Sequence, residues 1–511
     1  LWLALALTIY LAHVRVYNFI SDDAFITLRY AKNLVAGHGL VFNPGERVEG
    51  FTSPLWTLML AAANWAGFDL LWSARVLGVL FGGLAILLTY QLAHRMVDHP
   101  RRDLFAAIAP IVLASNGAFA CWAASGMETP LFVSLLVASA YYELTDRMVH
   151  SVWAVGALLL TRPEGVLVWG VLSLFRLWKE GARAFRQSGW WFAICGAVLV
   201  GLFAARYLYY GDWLPNTYYA KTGGGVHQWR RGFQYLMQYA ADHEGVVVMG
   251  LLVVYGLLSR DVRLRLVSSL ALVLGLAVVA VGGDGLPMYR FATPLQPFFA
   301  VLLARCVADL NRVSSRAAIG QKVVPVLTGV GLAIVGFAHL SPPGVGPHYG
   351  LYEYQKKVEI PLWTAVGQWL RDHAQKGDSV AAVPIGAISY YSDLTVIDMM
   401  GLTDRHIARR KMPNMGKGWA GHEKRDGPYV LRRRPTYLLL GNIDVTDRPR
   451  DPNQWPFIPY YNPAIWERER DMYETDELRI LYAPRSAMIA PGLYLNFYEL
   501  KTEFRRSDGA P

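Results

Sequence analysis

Long apolar runs, among them "VLGVLFGGLAILLTYQLA" and "LRLVSSLALVLGLAVVAVGG", recur through the N-terminal two thirds of the chain. They approach the roughly 20 residues that an α-helix needs to cross the hydrocarbon core of a bilayer. Lipid offers no water to satisfy stray backbone groups, so such runs fold as helices packed into a bundle. The 511 residues are 54% hydrophobic and 17% charged, which fits a multi-span membrane protein and not a soluble one. A net charge of +10 raises nucleic acid as a partner. Lys and Arg, however, gather in short loops between apolar runs, so topology explains the basicity and no nucleic acid is expected. Cys121, Cys195 and Cys306 all lie inside apolar runs and read as small core residues, not as a disulfide framework or metal site.

Lys and Arg are retained on the cytoplasmic side of a membrane, and "HRMVDHPRRD", "RLWKEGARAFRQ", "SRDVRLR" and "NRVSSRAAIGQK" are the basic loops. With these inside, spans alternate over roughly 1–20, 76–97, 104–123, 130–145, 151–161, 165–178, 189–208, 246–258, 266–281, 293–310 and 323–340, about eleven in all. The run from Leu1 to about Ile20 is expected to be the first span and not a cleaved signal peptide. "PLWTLMLAAANWAGF" is too short to span and is expected to be a juxtamembrane or re-entrant helix. Every outer loop then carries one compact polar motif: "SDDAF", "ASGMETP", "TRPEG", "GDWLPNTYYAKTGG" and "GGDGLPMYRF". The composition shifts at the Pro/Gly linker "SPPGVGPHYG", which divides a helical membrane domain over 1–340 from a soluble outer α/β domain over 341–511. In that second part "SVAAVPIGAISYYSDLTVIDMMGL" reads as strand, turn, helix, strand, and "RPTYLLLG" and "LYLNFYEL" read as further strands.

The polar motifs have plain structural explanations. Ser21 is a good N-cap, and Asp22 and Asp23 complement the dipole of the helix that follows. Glu128 sits where it can serve the helix beginning at Pro130, Arg162 and Glu164 can pair with each other, and Tyr218 and Tyr219 suit an interfacial belt. Lys221 follows that belt, and Arg290, six residues after Asp284, can snorkel at the start of a span. Together they suggest more. Three cations, Arg162, Lys221 and Arg290, share a membrane face with acids, which suits a phosphate-bearing substrate whose tail lies in lipid, with one Asp as base for an acceptor hydroxyl and the other supporting it. Arg162, in the most apolar setting, ranks first as a phosphate ligand. No P-loop, GxGxxG after a strand, HExxH or CxxC is present, so nucleotide, dinucleotide and zinc chemistries have no support, and a lipid-phosphate donor fits best.

"DDAFITLRYAKNLVAGHGLVFNPGERVEGFTSPLW", "SGMETPLF", "LTRPEGVL", "DWLPNTYYAK" and "GGDGLPMYRFATPLQP" resemble the polyprenyl-phosphate-sugar-dependent glycosyltransferases of the GT-C fold, and within them the terminal arabinofuranosyltransferases of mycobacterial cell-wall arabinan. The resemblance extends through "GLTDRHIAR". It implies an inverting transfer, possible for arabinofuranose, from a polyprenyl-phosphate sugar to a cell-envelope glycan or glycolipid on the outer face of a bacterial plasma membrane. It places the catalytic base on Asp22 or Asp23; Asp23 with Asp22 as its partner is the preferred assignment, which the sequence alone does not force. Glu128, Arg162, Glu164, Tyr218, Tyr219, Lys221, Asp284 and Arg290 are the expected substrate-binding residues. The leaving group is already a phosphate ester, so no obligatory cofactor is expected, and a divalent metal held by the acids stays an open alternative. A transporter or flippase of a lipid-linked sugar is the alternative function, less favoured because the charges collect on one face and no internal repeat is visible.

Overall fold

The computed structural model describes residues 1–181, 183–243, 245–314, 347–459 and 462–505. Ten of the eleven expected spans coincide with helices, and the eleventh, 323–340, lies outside the described residues together with most of the "SPPGVGPHYG" linker. Among the described residues, four helical segments are long and apolar enough to cross a membrane: Leu70–Met96, Arg183–Tyr210, Val262–Val281 and Thr293–Val313. The number rises to six if two bent pairs each form one span. One such pair replaces the expected straight span at 104–123: Arg102–Ser115 and Gly117–Ala124 meet at 58°. Asn116 causes the break, because its side chain accepts from Phe119 N at 2.9 Å and starts a new helix. Met148–Leu159 has only 12 residues. At 1.5 Å per residue that is about 18 Å, short of a full crossing. "PLWTLMLAAANWAGF" contains the short helix Pro54–Trp65, as its length suggested.

The basic loops meet at one end of the bundle. Arg263 donates to Arg95 O at 3.0 Å, and Arg312 pairs with Asp98 at 3.2 Å. Buried Arg176 and Glu143 pair nearby at 2.5 Å. The acid-bearing motifs converge at the other end.

The C-terminal region forms a six-stranded mixed sheet in the order β2-β1-β3-β6-β4, with β5 on the remaining edge of β6. Its strands are β1 (Ser379–Ala382), β2 (Thr395–Asp398), β3 (Tyr437–Leu438), β4 (Asp444–Thr446), β5 (Tyr482–Ala490) and β6 (Leu493–Leu500). β1 pairs in parallel with β2 across the helix Gly386–Ser392, which is the strand, helix, strand order expected from the sequence. β3 and β4 share one edge of β6, at 498–499 and 494–496.

The segment 21–56 joins the two regions. Asn43 lies against the edge strand β2 and exchanges both hydrogen bonds with Val396, donating at 2.8 Å and accepting at 3.0 Å, so a side-chain amide covers what would be an open sheet edge. Arg29, on the helix Asp22–Val35, is buried and donates to Phe42 O at 2.7 Å, to Leu394 O at 2.6 Å and to Ser389 O. Lys32 pairs with Asp393 at 2.6 Å, and Glu46 with Arg433 at 2.8 Å. One hydrophobic core runs through the joint, from Phe25 and Leu28 to Ile388, Val380 and Phe497. The charges of the first loop are therefore largely the contacts that hold the sheet region on the bundle.

Candidate active site

Asp22 and Asp23 open the same helix, yet their carboxylates point to different partners. Asp22 accepts from Gly386 N at 2.9 Å and from Ala387 N at 2.8 Å, so it caps the helix Gly386–Ser392. Residue 386 must be glycine, since a Cβ there would sit 2.0 Å from Asp22 O. Burial raises the Asp22 pKa to about 6 against the pull of those two N–H groups. Asp23 instead meets Arg290 at 3.0 Å. Burial opposes its ionisation, but Arg290 and Lys221 outweigh that and hold its pKa below the usual carboxylate value. Ser21 occupies the N-cap position without a side-chain capping bond.

Arg290 is presented by a strained loop. Met288 and Tyr289 both adopt positive φ, 56° and 51°, and Trp122 Nε1 pins Met288 O at 2.7 Å. The guanidinium holds Asp284 through two bonds of 2.7 and 2.9 Å and stands 4.8 Å from the Phe291 ring. On the same ring, at 5.0 Å, lies Arg162, which pairs with Glu128 and Glu164, each at 2.8 Å. The expected Arg162–Glu164 pair is present, whereas Glu128 makes no capping bond to its own helix. Lys221 differs from both arginines: it forms no hydrogen bond or ion pair with any described residue. Burial lowers its pKa, with Asp23 acting against that.

Two cavities flank these groups. An apolar one of about 360 Å³ is lined by Glu128, Arg162, Glu164, Tyr218, Phe291 and Arg290 with aliphatic residues of the bundle. A more polar one of about 330 Å³ lies at the joint with the sheet region and is lined by Asp22, Asp284, Glu359, Asp398, Trp419, His422 and Arg468. Asp23, Ile26, Lys221 and Leu402 line both. Nine of the ten residues expected at the site thus line one cavity or the other. Tyr219 lines neither and instead faces the Arg409 guanidinium at 4.7 Å. Its ring takes a cation from the sheet region in the packing of the joint.

Several wall residues carried no chemical signal in the sequence. Asp398 organises the turn after β2 by accepting from Met400 N at 2.8 Å and Thr403 N at 2.7 Å, which places Leu402 between the cavities. Asn216 of "LPNTYYAK" donates to Gly401 O at 2.8 Å and Leu402 O at 3.0 Å, tying that motif to "GLTDRHIAR". Trp419 donates to Gly285 O at 2.8 Å, and a Cβ on residue 285 would meet Ala420 O at 2.6 Å. Among the described residues no group of three His, Cys, Asp or Glu is placed to hold a metal ion.

The backbone matches ArnT from Cupriavidus metallidurans bound to undecaprenyl phosphate with a TM-score of 0.55, at 10% identity and covering 98% of each chain. It also matches the Archaeoglobus fulgidus oligosaccharyltransferase in complex with Zn and sulfate, with a TM-score of 0.52 at 14% identity over 78% of this chain and 62% of that one. This chain has the GT-C fold. Within that fold it is similar in sequence to the terminal β-(1→2)-arabinofuranosyltransferase of Mycobacterium tuberculosis, 31% identical over 266 residues, 48% of this chain and 42% of the relative. It is similar also to the Corynebacterium glutamicum enzyme of the same description, 27% identical over 352 residues, 58% of this chain and 48% of that one. The chain spans less than half the length of these curated relatives. Residues 349–489, which carry part of the GT-C chain's polar cavity, match a domain of unknown function, DUF8728.

Proposed function

We propose that this multi-pass membrane protein is an inverting glycosyltransferase that moves a sugar from a polyprenyl-phosphate donor to a hydroxyl of a cell-envelope glycan, with arabinofuranose as the sugar. The carrying observation is the position of Asp23 on the wall shared by an apolar and a polar cavity. The apolar cavity suits the lipid end of the donor, in line with the undecaprenyl phosphate bound by ArnT and with the arabinofuranosyltransferase relatives. Lys221, uncommitted among the described residues, takes the donor phosphate, with Arg290 and Arg162 behind it. The acceptor hydroxyl arrives from the polar cavity and attacks the anomeric carbon opposite the phosphate. As the new C–O bond forms and the bond to phosphate oxygen breaks, the hydroxyl proton passes to Asp23 and the electron pair leaves with polyprenyl phosphate, inverting the anomeric centre. Arg290 keeps Asp23 ionised at neutral pH and fixes its rotamer. The site and the sheet region face outward, because the basic loops gather at the opposite end of the bundle.

The direct test incubates the purified protein with a panel of polyprenyl-phosphate sugars and measures released polyprenyl phosphate with and without glycan acceptors. Acceptor-dependent release is expected for the pentofuranose donor. Release from none of the panel would remove the transferase assignment. Labelling of introduced cysteines from outside should reach 221–230 and spare 260–265, and the reverse pattern would invert the orientation.

A further inference from the structure

Buried guanidiniums in this protein are almost always satisfied by the chain itself. Arg29 is held by three carbonyls, Arg162 by two glutamates, Arg176 by Glu143, Arg206 by Glu49 and Arg290 by two aspartates. Arg468, part-buried on the helix Pro463–Tyr473, is held differently. Its Nε is buried without an acceptor, and the side chain makes no hydrogen bond or ion pair with any described residue. The adjacent acid, Glu469, is turned away and accepts from Gly441 N at 2.9 Å. Leaving a buried donor of this kind unmet is unfavourable, and a ligand that accepts from the guanidinium would recover part of that cost.

Arg468 lines the polar cavity together with His422 and Asp23, and the His422 ring feels the charge of both. The guanidinium therefore faces the same cavity from which the attacking hydroxyl reaches the base. The charged groups facing this space are mostly acids: Asp22, Asp23, Asp284, Glu359 and Asp398, against Lys221 and Arg468 itself. An anionic ligand would be repelled by that set. A planar fork of N–H donors also matches two neighbouring hydroxyl oxygens, and the Trp419 ring, half exposed and fixed through its indole N–H, offers an apolar wall for the C–H face of a sugar.

We infer that Arg468 is the acceptor-recognition residue, gripping two adjacent hydroxyls of a neutral glycan seated in the polar cavity while another hydroxyl of that glycan meets Asp23. The inference rests on the proposed transferase reading for what the glycan then does, but glycan binding itself is measurable without turnover. Binding of a neutral arabinofuranose trisaccharide, of a uronate-bearing trisaccharide of matched length, and of polyprenyl phosphate is measured calorimetrically on the full chain in nanodiscs, for wild type, Arg468→Lys, Arg468→Ala and Asp23→Asn. The expected result is a loss of at least tenfold in neutral-glycan affinity in both Arg468 variants, with polyprenyl phosphate binding unchanged and Asp23→Asn losing less glycan affinity than either Arg468 variant. Arg468→Lys keeps the charge without the fork, and retained polyprenyl phosphate binding reports that each variant is folded. Wild-type glycan affinity in Arg468→Lys and Arg468→Ala, or tighter binding of the uronate form, overturns the inference. Glycan binding that depends on Arg468 in a protein that releases no polyprenyl phosphate would overturn the transferase reading and leave this one standing.

Discussion

The two cavities that meet at Asp23 are built from different materials. The apolar one is walled by loops between bundle helices, and two of its three cations are already neutralised by carboxylates two at a time. The polar one draws most of its wall from the sheet region, and its acids are held by backbone N–H groups at Asp22 and Asp398. On the proposed reading, the difference separates the two phases that a lipid-linked donor and a water-borne acceptor come from, with one carboxylate at the boundary. Asp23→Asn tests that boundary with the largest expected effect. The amide keeps the size of the side chain and removes the proposed base, so turnover should fall by about 10²–10⁴-fold, with donor binding retained. Near wild-type turnover in this variant would break the contrast between the cavities, and the acid to examine next would be Glu128.

Lys221 lines both cavities, and its variant shows to which one the phosphate belongs. Lys221→Met should remove one charged hydrogen bond of about 1.5–3 kcal/mol from the donor complex, raising the donor KM roughly 10- to 100-fold while the acceptor KM moves little. A rise confined to the acceptor KM would place the phosphate on the polar side. Arg162 and Arg290 are poorer probes. Each removal strands one buried and one part-buried carboxylate, and breaking a buried pair costs about 3–5 kcal/mol, so thermal unfolding of Arg162→Ala should shift well before any kinetic effect is interpretable.

The same contrast marks how much was legible from the sequence. The apolar side was readable because ionisable groups are rare beside apolar runs, so Glu128, Arg162, Lys221 and Arg290 stood out one by one. Their pairing was only partly readable: Arg162 with Glu164 is local, whereas Arg290 with Asp23 joins residues 267 positions apart. The strand, helix, strand order of 379–398 followed from periodicity, but its docking on Asp22 did not, because a helix N-terminus gives no sign of which distant carboxylate will cap it. Trp419, His422 and Arg468 were silent for a related reason. Charged and aromatic residues are ordinary in a stretch without apolar spans, and only the fold shows that these three face a cavity.

Asp22 gives the smallest expected effect and the sharpest separation of the two neighbouring acids. Its two oxygens are occupied separately, by Gly386 N and Ala387 N, so Asp22→Asn, which keeps one accepting oxygen and loses one capping bond, should transfer sugar at close to the wild-type rate. Stability should respond to pH in a particular direction. The folded-state pKa of Asp22 is about 6, above the unfolded value of roughly 3.9. Protonated Asp22 is therefore the form that folding favours, and its stabilising contribution is fully present below about pH 4 and is lost as pH rises through about 6. Asn does not titrate, so the melting temperature of the variant relative to wild type should climb between pH 4 and 6.5 and level off above. Glu359 faces the same cavity, and its pKa is pushed to about 7 by burial first and Asp22 second, so the variant should also let Glu359 ionise at lower pH. A flat melting difference across that window would mean that the two backbone N–H groups fully compensate the burial of the charge. Loss of turnover in Asp22→Asn as deep as in Asp23→Asn would make the pair one catalytic unit, with Asp22 working through the helix it caps, and the division of labour between the two cavities would have to be drawn through both acids.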